Sequence, residues 1–330
     1  MSSFARRFLA PVAASALIVA GMPAIAQAAP DPTTGVELNV ESDQFVGGTY
    51  IYNPSNGTIE GAKALKELRG YMWDVNPPFK GYSFDPYNGT LQDAARQEGI
   101  TTKEQYQDIK IDQDLNWIAV QRAVEITGVW GHVRPDGSET ASATRGDRAP
   151  EVESLAMGNT LTMRTAIMDS WGKGELKALQ QANGEWSTAN GHLVHLLHPR
   201  HTVWGFGGVH TPGKGYEHFF AAVNGSELVT QGSTKNLWYK QTLYRAPKDG
   251  ERATGLLEPK PGESEPLAGK PDLGYGKGGI SIGLSSDNPE AVKGINIALG
   301  VISAIIALVG LANQIGALDL SGLLSRFLPR

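Results

Sequence analysis

Residues 191–201 contain four of the seven histidines in the chain, at positions His192, His195, His198 and His201. Imidazole is the side chain best suited to ligate metals and to exchange protons near neutral pH, so a site is expected here first. The first three histidines stand three residues apart, and on a helix they would share one face from which to hold a metal. Pro199 ends such a helix, however, and steps of three suit chelation less well than steps of four. The pattern therefore favours solvated surface positions for His195, His198 and His201.

Three other segments combine an ionisable residue with a turn or a helix start. His132 precedes a Pro-Asp-Gly turn at residues 135–137, beside which Arg134 is expected to be a solvated charge. The second segment, residues 151–158, begins with two glutamates separated by one residue, and the third places Glu175 shortly after a tryptophan. Two histidines and two carboxylates are thus able to meet in one cleft.

The amino terminus has the pattern of a cleaved export signal. Two arginines are followed by a short apolar segment and then by Ala26-Gln27-Ala28, the small residues that a signal peptidase accepts. We expect residues 1–28 to be removed on export, and an uncleaved anchor is the alternative. Cleavage removes two arginines and no acid, which changes the net charge from -5 to -7. A mildly acidic chain gives no support to nucleic-acid binding.

The chain contains no cysteine. This excludes thiol catalysis, disulfides and cysteine-ligated zinc, although disulfides form readily in exported proteins. A domain of roughly 200 residues buries enough apolar surface to fold without such cross-links.

The carboxyl-terminal part of the sequence predicts a spacer and an anchor. Residues 246–292 are rich in proline and glycine and poor in large apolar side chains, which predicts a flexible linker. The predicted anchor, residues 293–318, follows. Its uncharged, mostly aliphatic run 294–318 would be roughly 37 Å long as a helix, enough to cross a membrane core of about 30 Å. A helix that lies on the membrane surface or only self-associates is the alternative. The short tail, residues 319–330, carries two arginines that favour a cytoplasmic end.

Small and polar residues recur in the predicted anchor at alternating steps of four and three, at Asn296, Gly300, Ser303, Ala307, Gly310 and Gln314. Such a stripe lets a second helix approach closely and share hydrogen bonds, which predicts self-association through this helix. The alternative is that small residues are simply common in membrane helices.

Between the two ends the pattern predicts one α/β domain, with helices flanking a small sheet. The expected elements are helices beginning near residues 101–104 and covering 114–126 and 160–171, and strands over 202–209 and 218–223. Gly205 and Gly207 fall on one face of the first strand, where the missing side chains let another element press against the backbone.

The first motifs of this domain resemble the CAP superfamily of cysteine-rich secretory, antigen 5 and pathogenesis-related proteins. The helix at residues 114–125, followed by the turn that contains His132, resembles the opening of the CAP domain. Residues 153–158, Glu-Ser-Leu-Ala-Met-Gly, are similar to the family signature Glu-Asn-(Leu/Ile)-Ala-x-Gly, with Ser154 in place of the usual Asn.

The later motifs follow in the order of the same family. Trp171 with Glu175 resembles the family's Trp-x-x-Glu, with one additional residue between the two side chains. Gly191-His192 resembles its Gly-His segment, and the likeness as a whole covers roughly residues 111–225. No single motif is highly specific, so the resemblance depends on their order.

The resemblance implies a three-layer α-β-α sandwich whose central cleft holds two histidines and two glutamates. Carried over residue by residue, these are His132, Glu153, Glu175 and His192. The two imidazoles would hold a divalent metal, zinc foremost, while the carboxylates orient the rings or bind water. Glu153 and Glu175 are the candidate catalytic residues. The absence of cysteine resembles the bacterial, cell-envelope branch.

The predicted organisation is a signal peptide (1–28), an N-terminal extension of short strands and helices (29–110), a CAP-like domain (111–245), the linker (246–292), the anchor (293–318) and the tail (319–330). The leading function is an exported, membrane-tethered protein whose cleft binds a metal, a lipid or a cell-wall component.

Two alternative functions remain. One is a secreted hydrolase in which a metal or a His-Glu pair activates water to cleave an envelope polymer or a peptide. The other is a structural or adhesive surface protein with a vestigial cleft. Serine hydrolysis has no support, because no Gly-x-Ser-x-Gly segment surrounds an available serine.

Overall fold

A computed structural model describes residues 33–213 and 216–274, which form a mixed α and β structure around one sheet. The strands are β1 Val46–Tyr52, β2 Lys110–Ile111, β3 Glu153–Gly158, β4 Val203–His210, β5 His218–Gly225 and β6 Tyr239–Arg245. Their order is β3-β5-β4-β1-β6, and β2 pairs with the beginning of β4. All pairs are antiparallel except β2 with β4.

The helices are α1 Ala62–Val75, α2 Leu91–Gln97, α3 Lys103–Gln107, α4 Gln113–Glu125, α5 Met163–Thr165, α6 Leu176–Gln181 and α7 Gly191–Leu197. The π-helical turn Gly57–Gly61 leads into α1, and a second, Ala166–Ser170, continues α5. Three 3₁₀ turns cover Ser42–Gln44, Thr140–Ser142 and Lys173–Glu175.

The helix α4 begins where an aspartate satisfies its first backbone donors. One carboxylate oxygen of Asp112 accepts hydrogen bonds from the backbone N–H groups of Asp114 and Leu115. The other oxygen accepts from the backbone N–H groups of Val229 and Thr230. A side-chain N-cap of this kind stabilises a helix by about 1 kcal/mol, and here it also ties the segment after β5 to the start of α4.

Helix α4 packs directly on the sheet because two glycines leave room for its backbone. A Cβ atom on Gly205 would lie 2.1 Å from the carbonyl carbon of Leu115, and one on Gly207 would lie 2.2 Å from the backbone nitrogen of Val120. The predicted close approach at these glycines is confirmed. The apolar core on this side of the sheet includes Leu115 and Ala119.

The opposite face of the sheet is covered by α1, α7 and the segment around α5. Trp204 and Phe206 alternate with the glycines along β4 and belong to this second core. Arg69 of α1 is buried there, and its guanidinium donates hydrogen bonds to the carbonyls of Leu196, His198 and His201. A cation that meets the last carbonyls of a helix interacts favourably with its dipole, so Arg69 fixes the end of α7.

The segments on either side of the predicted CAP-like region contribute to the same structure. Residues 33–110, expected as an extension, supply β1 between β4 and β6. Residues 246–274, expected as part of a flexible linker, contact the sheet: Thr254 donates to the carbonyl of Phe45, and Leu267 N–H donates to the carbonyl of Trp238.

The predicted signal peptide (1–28) and anchor (293–318) lie outside the described residues. Within residues 33–213 and 216–274, no helix combines the length and the apolar character that a membrane span needs.

Candidate functional site

A cavity of about 430 Å³ opens at the sheet end where β3 begins and α7 starts. Three of the four expected cleft residues line it, His132, Glu153 and His192. The fourth, Glu175, contacts the ring of His192. The remaining lining residues are Tyr82, Ser83, Phe84, Thr140, Glu151, Val152, Trp186 and Gly191.

His132 is oriented by a buried carboxylate. Nδ1 of His132 lies 2.9 Å from Oε1 of Glu153, the first residue of β3. Glu153 also accepts two hydrogen bonds of 2.8 Å from the guanidinium of Arg122 and one of 2.8 Å from the hydroxyl of Thr140. Burial alone would raise the pKa of Glu153, but Arg122 and His132 outweigh it and lower this pKa to about 2. Glu153 is therefore an ionised acceptor that fixes the ring.

Behind this pair lies a buried network of alternating charge. Arg122 also contacts Glu125, one helical turn further along α4, and Glu125 in turn accepts from Arg134. The prediction that Arg134 is a solvated charge is wrong, because its side chain is buried and satisfied by Glu125 and by the carbonyl of Glu37. Two arginines and two glutamates balance one another, as buried charges require.

His192 is oriented in the same way by a second carboxylate. Nδ1 of His192 lies 2.5 Å from Oε1 of Glu175, and Oε2 of Glu175 accepts from the backbone N–H of Leu193 at 2.9 Å. This N–H belongs to the first turn of α7, whose cap residue Asn190 provides no side-chain bond. Glu175 therefore satisfies a helix-start donor and holds the ring with one side chain. The extra residue between Trp171 and Glu175 is accommodated, since Glu175 is buried and faces inward.

The two imidazoles share one chemical arrangement. A ring whose Nδ1–H donates to a carboxylate presents Nε2 as its basic nitrogen, which is how most metal-ligating histidines are held. The two carboxylates are engaged in orienting the rings.

A separate group of possible metal ligands lies away from the cleft. In the described part of the chain, one group of three or more His, Asp or Glu residues has all its ligand atoms within 4.8 Å of one another. It consists of His210, Glu217 and His218.

The prediction that His195, His198 and His201 are solvated is wrong, since all three are buried. His195 belongs to α7 and the other two follow it, and the rings of His195 and His201 lie near Trp204 of the second core. Burial lowers the pKa of each histidine, for His195 to about 3. His198 is 2.9 Å from the carboxylate of Asp85, and Nδ1 of His201 bonds the carbonyl of His195. These rings are neutral core groups with defined partners.

His195 takes part in a series of side-chain hydrogen bonds that resembles a serine nucleophile with its base. The hydroxyl of Ser154 lies 2.8 Å from Nδ1 of His195, whose Nε2 lies 3.0 Å from Oδ1 of Asn224. Because Oδ1 of Asn224 accepts, Nε2 carries the proton and Nδ1 accepts from Ser154. All three side chains are buried and none lines the cleft cavity. Because Ser154 is not accessible from the cavity, we assign this series of hydrogen bonds a structural role in the core.

The cavity has an aromatic rim. Phe84 is 79% exposed, and its ring stacks on Tyr82 with centroids 5.5 Å apart. Trp186 is 41% exposed and lines the same cavity. Ligand pockets commonly combine such apolar walls with a few polar groups, here the two imidazoles.

The sequence motifs predicted four cleft residues, of which three line the cavity and the fourth, Glu175, contacts His192; they did not indicate the groups that position these residues. Arg122 carried a signal, because it stands among the apolar positions of α4 and a charge on a buried face needs a buried partner. Thr140, Tyr82 and Phe84 lie in irregular segments and carried no such signal.

Comparisons with protein-family models, with curated proteins and with solved structures find no match for this chain.

Proposed function

We propose that this chain is an exported CAP-type protein whose cleft binds a ligand through His132 and His192. One observation carries the proposal: two imidazoles, each held at Nδ1 by a carboxylate, line the same cavity. Rings that only fill a core do not need to face a cavity of about 430 Å³. Held in this way, they recognise a polar group or a divalent ion placed between them.

The residues fit a divalent ion of the type that imidazole prefers, zinc foremost. His132 and His192 would hold it, and Glu153 and Glu175 fix the rings that bind it. Such an ion supplies Lewis acidity and open coordination positions when bound. With two protein ligands rather than three or four, the site leaves the remaining positions to the ligand.

The aromatic rim supports a ligand with an apolar body. Tyr82, Phe84 and Trp186 form a continuous surface beside the imidazoles, and a phenylalanine 79% exposed gains by being covered. We infer an amphiphile whose polar end meets His132 and His192 and whose apolar part covers Phe84 and Trp186.

One observation supports the alternative function, a hydrolase. Each imidazole contacts a carboxylate at Nδ1, and such a contact makes the ring a stronger base. Glu153 itself does not suit the role of general base, because it accepts four hydrogen bonds and its pKa is about 2. Turnover of a peptide or an envelope polymer that is lost in His192→Ala would favour this function over simple binding.

The location is proposed from the sequence. We propose that residues 1–28 direct export and that residues 293–318 hold the domain at the outer face of the cell membrane. Deletion of residues 293–330 is expected to release the protein from the membrane fraction. Gly300→Leu with Gly310→Leu is expected to abolish self-association in detergent, measured by sedimentation.

The cleft is tested by thermal unfolding of metal-free protein with the wild-type cleft and of His132→Ala with His192→Ala. Both proteins also carry His210→Ala with His218→Ala, so that the separate His/Glu group does not contribute to the zinc shift. Each is measured with zinc chloride, with palmitate and with both. A ligand at 100 times its Kd stabilises by about 2.7 kcal/mol, which is roughly 5 °C or more for a domain of this size. In this background we expect the wild-type cleft to show the shift and the variant that lacks both cleft histidines to lose most of it.

Phe84→Ser separates the two parts of the site. It removes an exposed apolar surface without touching the imidazoles, so we expect a weaker palmitate shift and an unchanged zinc shift. In protein that lacks the hairpin histidines His210 and His218, equal shifts with and without the cleft histidines, or no shift in either, would contradict the proposal and favour a structural role.

A further inference from the structure

Two histidines face each other where β4 turns into β5, away from the cleft. His210 is the last residue of β4, His218 is the first of β5, and the two are paired across the strands. Their ring centroids lie 4.6 Å apart. Directly opposed residues of an antiparallel pair point to the same side of the sheet, so the strand register holds both imidazoles together.

Glu217 completes a set of three ligands. One nitrogen of each ring and one carboxylate oxygen of Glu217 all lie within 4.8 Å of one another. Tetrahedral zinc, with ligand bonds of about 2.0 to 2.2 Å, needs its ligand atoms roughly 3.3 to 3.5 Å apart. Small rotations of the three side chains close this difference. Two imidazoles with one carboxylate are a ligand set that zinc and related divalent transition ions prefer.

The environment favours the ligand form of both rings. His210 is 6% exposed and His218 is 1% exposed. Burial lowers the pKa of both, for His218 to about 4, so the rings are neutral at pH 7. His218 is also engaged by the backbone at Leu273. A hydrogen bond of this kind orients a metal-ligating ring.

Two buried polar atoms at this point have no acceptor or donor among residues 33–213 and 216–274. They are Nδ1 of His210 and Nε1 of Trp238. Both residues line a small cavity of about 10 Å³, which also touches His218 and Leu273. A cavity of this size holds about one water or one ion. An ion bound at Nδ1 of His210 would satisfy this atom, and a separate water in the cavity would accept from the Trp238 indole.

We propose that His210, Glu217 and His218 form a structural site for a divalent transition-metal ion, zinc foremost. The ion clamps the β4–β5 hairpin and, through His218, the segment that contains Leu273. The site is separate from the cleft, since the two cavities share no lining residue. Val223, the β5 partner of Glu153, lies five residues beyond His218, which is roughly 16 Å along the strand.

The test is a zinc titration of the metal-free full chain by calorimetry. It compares the wild type, the hairpin variant His210→Ala with His218→Ala, and the cleft variant His132→Ala with His192→Ala. We expect the hairpin variant to bind one zinc ion per chain fewer than the wild type, and the cleft variant to retain this ion. Cobalt in place of zinc should give a visible absorption band in the cleft variant, and this band should be lost when His210→Ala and His218→Ala are added to that variant.

A milder substitution, Glu217→Gln, tests the same site if the hairpin variant does not fold. Glu217→Gln keeps the size of a partly exposed side chain, and we expect it to weaken zinc binding in the cleft variant by about tenfold or more. Equal zinc stoichiometry in the wild type and the hairpin variant would overturn the proposal. So would a cleft variant that binds no zinc, an outcome that leaves a single water as the occupant of this cavity.

Discussion

Glu153 accepts hydrogen bonds from Arg122, Thr140 and His132 in a largely buried position at the wall of the cavity. Since Arg122 also contacts Glu125, the orientation of one cleft imidazole depends on charged side chains buried on α4 itself. Buried ion pairs add little net stability when complete, but the loss of one partner leaves an uncompensated charge. Loss of one charged side chain, such as Arg122 or Glu153, is therefore expected to disturb both the cleft and the core.

Glu153→Gln is predicted to lower the free energy of unfolding by about 3 kcal/mol, because an amide cannot replace both acceptor oxygens that Arg122 uses. Urea unfolding measures the change. Glu151→Gln is the matched control: this glutamate lines the same cavity but is exposed, so we expect a change within about 0.5 kcal/mol. A loss below about 1 kcal/mol in Glu153→Gln would contradict the role assigned to the network.

Glu175→Gln is predicted to weaken zinc binding at the cleft by about tenfold or more, because His192 loses the carboxylate that fixes its ring. The measurement is competition with a chromophoric chelator in protein that carries His210→Ala and His218→Ala. Glu185→Gln, an exposed carboxylate paired with Lys80, serves as the control and should leave the affinity unchanged. Equal affinities in both variants would show that Glu175 does not act through His192.

At this scale the order of the motifs predicted that four side chains would meet in one pocket. The structure brings His132, Glu153 and His192 to one cavity, with Glu175 against His192. The burial of His195, His198 and His201 could not be predicted. It follows from the docking of α7 under Arg69, a contact between residues 127 or more positions apart. A short apolar helix carries no sign of which neighbours will cover its polar positions.

Among the elements, the close packing of α4 on β4 determines how the core and the cleft are positioned relative to each other. The glycines of β4 let the helix backbone approach the strand, and the same helix carries Arg122 to Glu153. Any displacement of α4 is therefore expected to disturb the cleft as well as the core.

Gly207→Ala is predicted to destabilise the protein by about 3 kcal/mol, because the added Cβ would lie 2.2 Å from the backbone nitrogen of Val120. Thermal unfolding measures the loss. Gly269→Ala is the control, since its Cβ would meet nothing within 4 Å. If the two alanine variants melted at the same temperature, the close contact between α4 and β4 would be refuted.

The long elements agree with the sequence expectations, whereas the short ones show the limits of local patterns. The helix predicted over residues 114–126 is observed as Gln113–Glu125, and both predicted strands are present. The capping box near residues 101–104 lies one residue later, with Thr102 and Gln105. The helix expected over 160–171 begins only at Met163, after the cap Thr162, and then widens into a π turn. Adjacent threonines offer equivalent caps, so packing decides between them.

For the molecule as a whole, buried histidines link folding to pH. His195, His198 and His201 have pKa values lowered by burial, for His195 to about 3. In the unfolded chain a histidine gains a proton as the pH falls below its ordinary pKa of 6.5. The folded state does not take up this proton until the pH approaches the lowered value, so acid favours the unfolded state over this interval.

The free energy of unfolding is predicted to fall as the pH decreases from about 6.5 towards 4. The slope is about 1.4 kcal/mol per pH unit for each histidine that titrates only in the unfolded chain. Urea unfolding of metal-free protein at pH 7.5, 5.5 and 4.5 measures it. His195→Gln should reduce this slope by about 1.4 kcal/mol per pH unit, the contribution of one histidine. A stability that stays constant over this range would contradict the buried, neutral state of these rings.

The central claim, that His132 and His192 act on one ligand, is tested most directly by a double-mutant cycle for zinc affinity. Wild type, His132→Ala, His192→Ala and the double variant are compared in protein lacking the hairpin histidines His210 and His218. Because both rings would hold the same ion, we predict that each single substitution loses almost as much affinity as the double one, which is a strong coupling. Losses that simply add, or affinities that do not change, would contradict the account.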